Sequence, residues 1–352
     1  MPSYVFSILV VLSAAGFAWL MAALVQRNAV RLRLVQVPNE RSSHRTPTPS
    51  GGGIAIAMAS LFAGLALLPS SFALAAWGAS LVAALLGLAD DRMDLPALFR
   101  LGVQFVLVMV LLGAAGNLPP LTISGLIVPQ ALLYVGLALA GVWWINLFNF
   151  MDGIDGIAAS ESVLLLAGLI FFALGSGQDS GAVWLMWWGA AVASASLGFL
   201  VLNWPPAKIF MGDAGSNFLA TAIFAIALGL LSANILDYSV VLILAALFVA
   251  DATVTLIQRA FRGERVFSAH RSHAYQRLAR RWNGHLPVTL ACIAVNLTWL
   301  YPLALWAQRD PAIAWLAVLM AYVPMVFICL IAGAGKPDSE THVATDLATH
   351  EE

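Results

Sequence analysis

The sequence predicts an all-α polytopic membrane protein of about eleven transmembrane helices, N-terminus periplasmic and C-terminus cytoplasmic. Three observations lead there. Hydrophobic residues make up 61% of the 352 positions and charged residues 10%, against roughly 25% charged in a soluble domain. The apolar residues fall in runs close to the length a helix needs to cross the hydrocarbon core, where helices and closed barrels alone satisfy the backbone. With eleven spans, all but Arg309 of the 17 Lys and Arg fall on one face, which the positive-inside rule makes cytoplasmic. A miscounted span would scramble that segregation. The formal net charge of −1 says little by itself, and no nucleic-acid partner is expected.

The spans are read at 4–26, 53–69, 72–89, 99–116, 129–148, 157–174, 182–201, 217–233, 238–258, 286–307 and 312–332. The first run has no basic residues before it and is long for a signal peptide, so it is read as a retained helix. Arg27, Arg31, Arg33, Arg41 and Arg45 follow it. Gly51-Gly52-Gly53 open the second span, either as part of a site or as a flexible helix entry. Between Asn117 and Gln130, two apolar triplets around Ser124-Gly125 suggest a small hairpin. Span nine runs into a basic stretch with Arg259, Arg262, Arg265, Arg271, Arg277, Arg280 and Arg281. Within it, Arg271 to Trp282 reads as a basic amphipathic helix on anionic headgroups. Cys292 and Cys329 lie in apolar runs and read as small core residues, with no disulfide or thiolate metal site indicated. Residues 1–335 thus form one transmembrane domain. Residues 336–352 are polar and acidic and read as a disordered cytoplasmic tail.

The acids collect on the basic face, and none sits clearly mid-span. Asp90, Asp91 and Asp94 follow span three, Asp152 and Asp155 follow span five, Asp213 follows span seven, and Asp251 lies near the inner end of span nine. The stretch Asn149 to Gly156 places two carboxylates three residues apart, each followed by glycine. It is either a polar inter-helix turn or a loop that lets the backbone approach a ligand. Asp90-Asp91 could merely stop a helix at the interface, but one charge suffices for that. Asn203-Trp204-Pro205-Pro206 could be a helix breaker with an interfacial Trp. Phe210 to Asn217 opens span eight with Gly212, Asp213, Gly215 and Ser216. Such a helix N-terminus attracts anions, and its carboxylate is either a cap or a ligand for a cation that accompanies an anion.

Several carboxylates at one depth call for a counter-charge. A hard divalent cation such as Mg2+ supplies it, joining one or two carboxylates to substrate phosphates. The loop Ser268 to Gln276, with His270, Arg271 and His273, is denser in phosphate-binding groups than membrane anchoring requires.

In this order and spacing, Asp90-Asp91, Asn149 to Gly156, Asn203 to Ser216 and the His270–His273 loop resemble the polyprenyl-phosphate N-acetylhexosamine-1-phosphate transferase family, nearer its branch that starts O-antigen and enterobacterial common antigen. The resemblance runs from roughly residue 38 to 285. It implies ten or eleven membrane helices around a cytoplasm-facing site in the bacterial inner membrane, a homodimer, and Mg2+, with Mn2+ as a substitute. The implied reaction moves an N-acetylhexosamine 1-phosphate from a UDP-amino sugar to undecaprenyl phosphate, releasing UMP, as the first step of an O-antigen-type polysaccharide. By motif position, Asp213 is the principal metal ligand, with Asp152 beside it. Asp90 and Asp91 lie near the lipid phosphate. Asn149, Asp152 and Asp155 contact the nucleoside and ribose, with Asn203 and Gly212 in the same binding motifs and Phe210 stacking on uracil. His270, Arg271 and His273 contact the diphosphate or sugar.

The lipid phosphate would attack the sugar-linked phosphorus directly, being largely ionised at neutral pH. A phospho-aspartate intermediate is the rival route. The competing function is a transporter or flippase of an anionic lipid or nucleotide sugar. Transporters, however, place ionisable residues near the midplane and show repeats, and no convincing repeat is present here.

Overall fold

The computed structural model describes residues 3–32, 34–36, 47–67, 71–175, 182–264 and 270–337. Arg33, Arg41, Arg45, Arg265, the Ser268-Ala269 pair and the tail from 338 onward lie outside the described residues.

The fold is all-α. Among the described residues, ten helices are long and apolar enough to cross a membrane, and the shorter Gly53–Leu67 joins them. In chain order they are α1 (Tyr4–Asn28), α2 (Gly53–Leu67), α3 (Ser71–Met93), α4 (Ala97–Ala115), α5 (Gln130–Phe150), α6 (Ile157–Gly175), α7 (Val183–Asn203), α8 (Asp213–Ser232) and α9 (Tyr238–Phe261). A short α10 (Ala274–Arg281) follows. Next comes a span made of α11 (Leu286–Val295), a π turn (Asn296–Leu300) and α12 (Tyr301–Arg309), and then α13 (Ala314–Ala332). Helices lie at all eleven expected positions, ten of them of membrane-crossing length, and both cysteines are free. The expected hairpin is present too, Thr122–Ile123 pairing with Leu126–Ile127. Ser124 and Gly125 both have positive φ, as a two-residue turn that follows strand twist requires. A second hairpin, Val35–Gln36 with Thr48–Pro49, was not expected.

Several boundaries differ in a way that matters. α3 runs on to Met93 and α8 starts at Asp213, so Asp90, Asp91 and Asp213 are helical rather than loop residues. The charged ends were excluded from spans drawn on hydropathy, yet their backbones continue the helices.

α8 is apolar on every side and buried along nearly its whole length, so it takes the centre of the bundle. Helices α2 to α7 pack around it. α1 lies against α2 and α7, and α9 against α12 and α13. Leu98, Val135 and Ile331 are among many large apolar side chains facing outward, as a lipid-facing surface requires.

Two glycine contacts set the approach to α8. A Cβ on Gly53 would lie 2.3 Å from Gly215 Cα, and one on Gly87 would lie 2.2 Å from Asp213 O. α2 and α3 therefore meet the first turn of α8 backbone to backbone. Asp91 stands one turn beyond Gly87 on the same helix face and is carried over the start of α8.

Glu161, an acid the sequence reading did not single out, lies near the start of a span and not at its middle. It lies one turn into α6, fully buried, and its Oε2 accepts from Asn296 Nδ2 at 2.8 Å.

Candidate active site

Adjacent carboxylates separate here. Asp91 Oδ1 accepts from Asp213 N at 3.1 Å and its Oδ2 from Ala214 N at 3.3 Å. It caps α8 from another helix. Gly215 N and Ser216 N both turn back to Gly212 O. The first amides of α8 are thus satisfied within the protein, and the anion-attracting reading of that helix end is corrected. Asp90, one residue earlier on the helix, pairs with Arg100 and accepts from Leu95 N, pinning the turn from α3 to α4, while its carboxyl also lies beside that of Asp213.

Asp213 Oδ1 accepts from Asn149 Nδ2 at 2.9 Å, and the same amide reaches Ser216 Oγ at 2.9 Å. The end of α5 is thereby tied to the start of α8. Asp152 follows in the loop after α5, and among the described residues no donor reaches its carboxylate. Burial, then the nearby charges of Asp213, Asp91 and Asp155, push it well above the ordinary carboxylate range. Such crowding without a basic partner is what a divalent cation relieves, and the all-oxygen donor set suits Mg2+. No group of three or more His, Cys, Asp or Glu among the described residues forms a closed metal cage.

These groups border a polar cavity of about 230 Å3. Asn149, Asp152, Asp155, Asn203, Phe210, Gly212 and Asp213 all line it. Besides Asn149 and Asp213, two more of these side chains are committed to internal bonds. Asn203 accepts from Gly156 N and donates to Ile209 O, clamping two loops together. Asp155 Oδ2 accepts from Ala207 N at 2.9 Å, and its Oδ1 lies 3.1 Å from His285 Nδ1.

His270, Arg271 and His273 do not line this cavity; Gln276 and His285 do. His273 is buried and caps α10, stacked between His270 and Tyr275. Its anchor is Asp251, which accepts from Ala274 N and Tyr275 N at 2.9 Å each. His270 is held neutral, its pKa lowered to about 3 by burial and then by the neighbouring His273 and Arg259. The Tyr275 hydroxyl donates to Phe150 O, so the basic loop is strapped to the loop carrying Asp152. The anchoring expected of the arginines is partly corrected: Arg277 donates to Ala332 O and Lys336 O, and Arg280 to Arg271 O. These guanidiniums tie protein segments together instead of meeting headgroups alone.

Gln36, Ser50, Gln276 and His285 are lining residues that sequence reasoning missed. His285 had a usable signal, since it immediately precedes an apolar span on the acidic face. A polar rail along its span sets its place. Thr289 donates to Asp155 O, Asn296 to Glu161, Tyr301 to Leu164 O and Gln308 to Phe172 O. Steps of four and seven residues stay on one face of an α-helix, whereas the step of five from Asn296 to Tyr301 would miss by about 140°. The π turn absorbs the extra residue, Tyr301 N donating to Asn296 O, so the rail stays on α6.

A second cavity of about 600 Å3 runs between α4, α5 and α9. Its walls are apolar, with Leu101, Phe105, Leu139, Val142, Leu256 and Ile257. Its inner end carries Arg100, Gln104, Asn146 and Asn217, and Asn149 belongs to both cavities.

Residues 73–231 match the family described as glycosyl transferase family 4. The chain is 32% identical to the decaprenyl-phosphate N-acetylglucosaminephosphotransferase of Mycobacterium tuberculosis, over 80% of this chain and 78% of that protein. It is 30% identical to the undecaprenyl-phosphate alpha-N-acetylglucosaminyl 1-phosphate transferase of Escherichia coli O157:H7, over 75% and 74%. A Bacillus subtilis protein named "Probable undecaprenyl-phosphate N-acetylglucosaminyl 1-phosphate transferase" is 26% identical over 88% and 86%. With relatives aligned along most of its length and the motif residues gathered at one end of its bundle, the chain belongs to glycosyl transferase family 4, the polyprenyl-phosphate N-acetylhexosamine-1-phosphate transferases.

Proposed function

We propose that this protein transfers an N-acetylhexosamine 1-phosphate from a UDP-amino sugar to undecaprenyl phosphate, releasing UMP. The reaction would start an O-antigen-type surface polysaccharide at the cytoplasmic face of the bacterial inner membrane. The observation that carries this reading is the junction at Asn149. That residue lines both a carboxylate-rich polar cavity and an apolar groove between membrane helices. The pairing supports a water-soluble donor in the one, its phosphates held through a cation, and a lipid acceptor in the other. The activities named for the three relatives make UDP-N-acetylglucosamine the first donor to try.

The groove would hold the isoprenoid chain, and the amides and Arg100 at its inner end would hold the phosphate at the level of Asp213. Phe210 would stack on the base. Asp213 and Asp152 would hold Mg2+, which when bound neutralises diphosphate charge and stabilises the leaving phosphate. Asp91 keeps the start of α8 in place through its two amide bonds, and Asn149 orients Asp213. A lipid-phosphate oxygen forms a bond to the sugar-linked phosphorus. The bond from that phosphorus to the bridging oxygen breaks, and the electron pair leaves with UMP. Positioning by the membrane carries much of the catalysis, because it converts an encounter of two solutes into one of fixed geometry.

The test incubates purified protein with radiolabelled UDP-N-acetylglucosamine, undecaprenyl phosphate and Mg2+. Label is expected in the chloroform-soluble fraction, with equimolar UMP released and neither product formed in EDTA. Label that stays water-soluble with every UDP-amino sugar tried would sink the reaction.

A further inference from the structure

We propose that His285 is a substrate-contacting residue, which accepts a hydrogen bond from a hydroxyl group of the nucleotide sugar. The identity of the ligand rests on the reading above; the assignment of His285 rests on geometry. Asp155 is expected from its motif to meet the ribose, but its Oδ2 is taken by Ala207 N and its Oδ1 faces His285 Nδ1 at 3.1 Å. A carboxylate oxygen only accepts, so this contact is favourable with the imidazole proton on Nδ1. Asp155 N also points at the same nitrogen, at the longer distance of 3.4 Å, and the shorter contact to the anionic oxygen sets the tautomer. With the ring proton on Nδ1, Nε2 is the lone-pair acceptor.

His285 lines the polar cavity beside Asp152 and Gln276, and Nε2 has no partner among the described residues. An acceptor of this kind suits a hydroxyl, which donates, and not a phosphate oxygen, which needs a donor. The surroundings hold the ring rigidly. Thr289, one turn on, donates to Asp155 O at 2.9 Å, and Asn296 is fastened to Glu161 at 2.8 Å. The π turn keeps the remainder of the span on the same neighbour. A ring fixed this way loses little freedom on binding, which is what a discriminating contact requires.

The test uses the full chain in detergent, with UDP-N-acetylglucosamine and a set of donors each lacking one ribose or sugar hydroxyl. Dissociation constants come from titration, and KM and kcat from transfer. In the wild type one deoxy donor is expected to bind about tenfold more weakly than the parent, equivalent to about 1.4 kcal/mol. In His285→Leu the parent should weaken by a similar factor, while that same deoxy donor loses nothing further and kcat changes less than KM. His285→Gln, which keeps an acceptor, should recover part of the discrimination. If the leucine variant fails to fold, His285→Met removes the acceptor at similar volume. Equal discrimination against every deoxy donor by wild type and the apolar variant would overturn the assignment. Donor binding with these differences but no transfer to lipid phosphate would overturn the reaction and leave His285 in its role.

Discussion

Asp90 and Asp91 are chemically identical neighbours with different work, and the cause is the 100° step of a helix. One stands over the first turn of α8; the other locks Arg100 at the entrance to α4. Asp213 sits between them and Asn149. Asp213→Asn keeps volume and shape but is a poorer ligand for a hard cation. Transfer is expected to fall at least about a hundredfold, comparable to other losses of transition-state charge stabilisation, with thermal stability near that of the wild type. Near-normal turnover in purified, Mg2+-supplied variant would remove Asp213 from the metal site. At this scale seven of the residues named through their motifs line one cavity, and Asp90, Asp91, His270, Arg271 and His273 do not. The sequence did not show that Asn203 and Asp155 spend their polar atoms on the protein, because hydrogen-bond partners 47 to 130 positions away are invisible to local spacing.

The π turn is the element-level device with most consequence. It inserts one residue between two stretches that must both face α6. Deleting Thr298, an exposed residue within it, would turn the five-residue step from Asn296 to Tyr301 into a step of four, which a regular α-helix keeps on the same face. Tyr301 and Gln308 would keep their hydrogen bonds to α6. The melting temperature of the detergent-solubilised protein is expected to stay within about 2–4 °C of the wild type, the shift that a ΔΔG of 1 kcal/mol gives a large domain. A much larger fall would mean that the π turn does more than absorb one residue. Elsewhere the elements were legible: runs of apolar residues became the membrane helices, the basic amphipathic stretch became α10, and Ser124-Gly125 became the expected turn. Boundaries drawn on hydropathy stopped short at Asp90 and Asp213, where a charged side chain rides on helical backbone.

At the scale of the molecule, the ends of α3, α5 and α7 and the start of α8 meet at one end of the bundle, bringing Asp91, Asn149, Asn203 and Asp213 together. From the segregation of Lys and Arg we propose that this end faces the cytoplasm. Single cysteines in a cysteine-free background check it. A membrane-impermeant maleimide added to spheroplasts should label Ser124→Cys on the far hairpin at once, and Met93→Cys, exposed at the end of α3, after permeabilisation. The reverse pattern would place the site outside and end the proposal of a cytosolic nucleotide donor.

The sequence by itself determined the membrane environment, the number of spans and the family, because hydrophobic length and charged loops act locally and motif residues are read without contacts. Tertiary structure alone decided which carboxylate caps α8, which ones stay without a donor, and that His285 reaches the cavity in place of His270 and His273. Those outcomes depend on where separate helices cross. At the meeting of α2, α3 and α8 the crossing is set by backbone packing at Gly53, Gly87 and Gly215, a property of pairs of helices that neither strand of sequence carries alone.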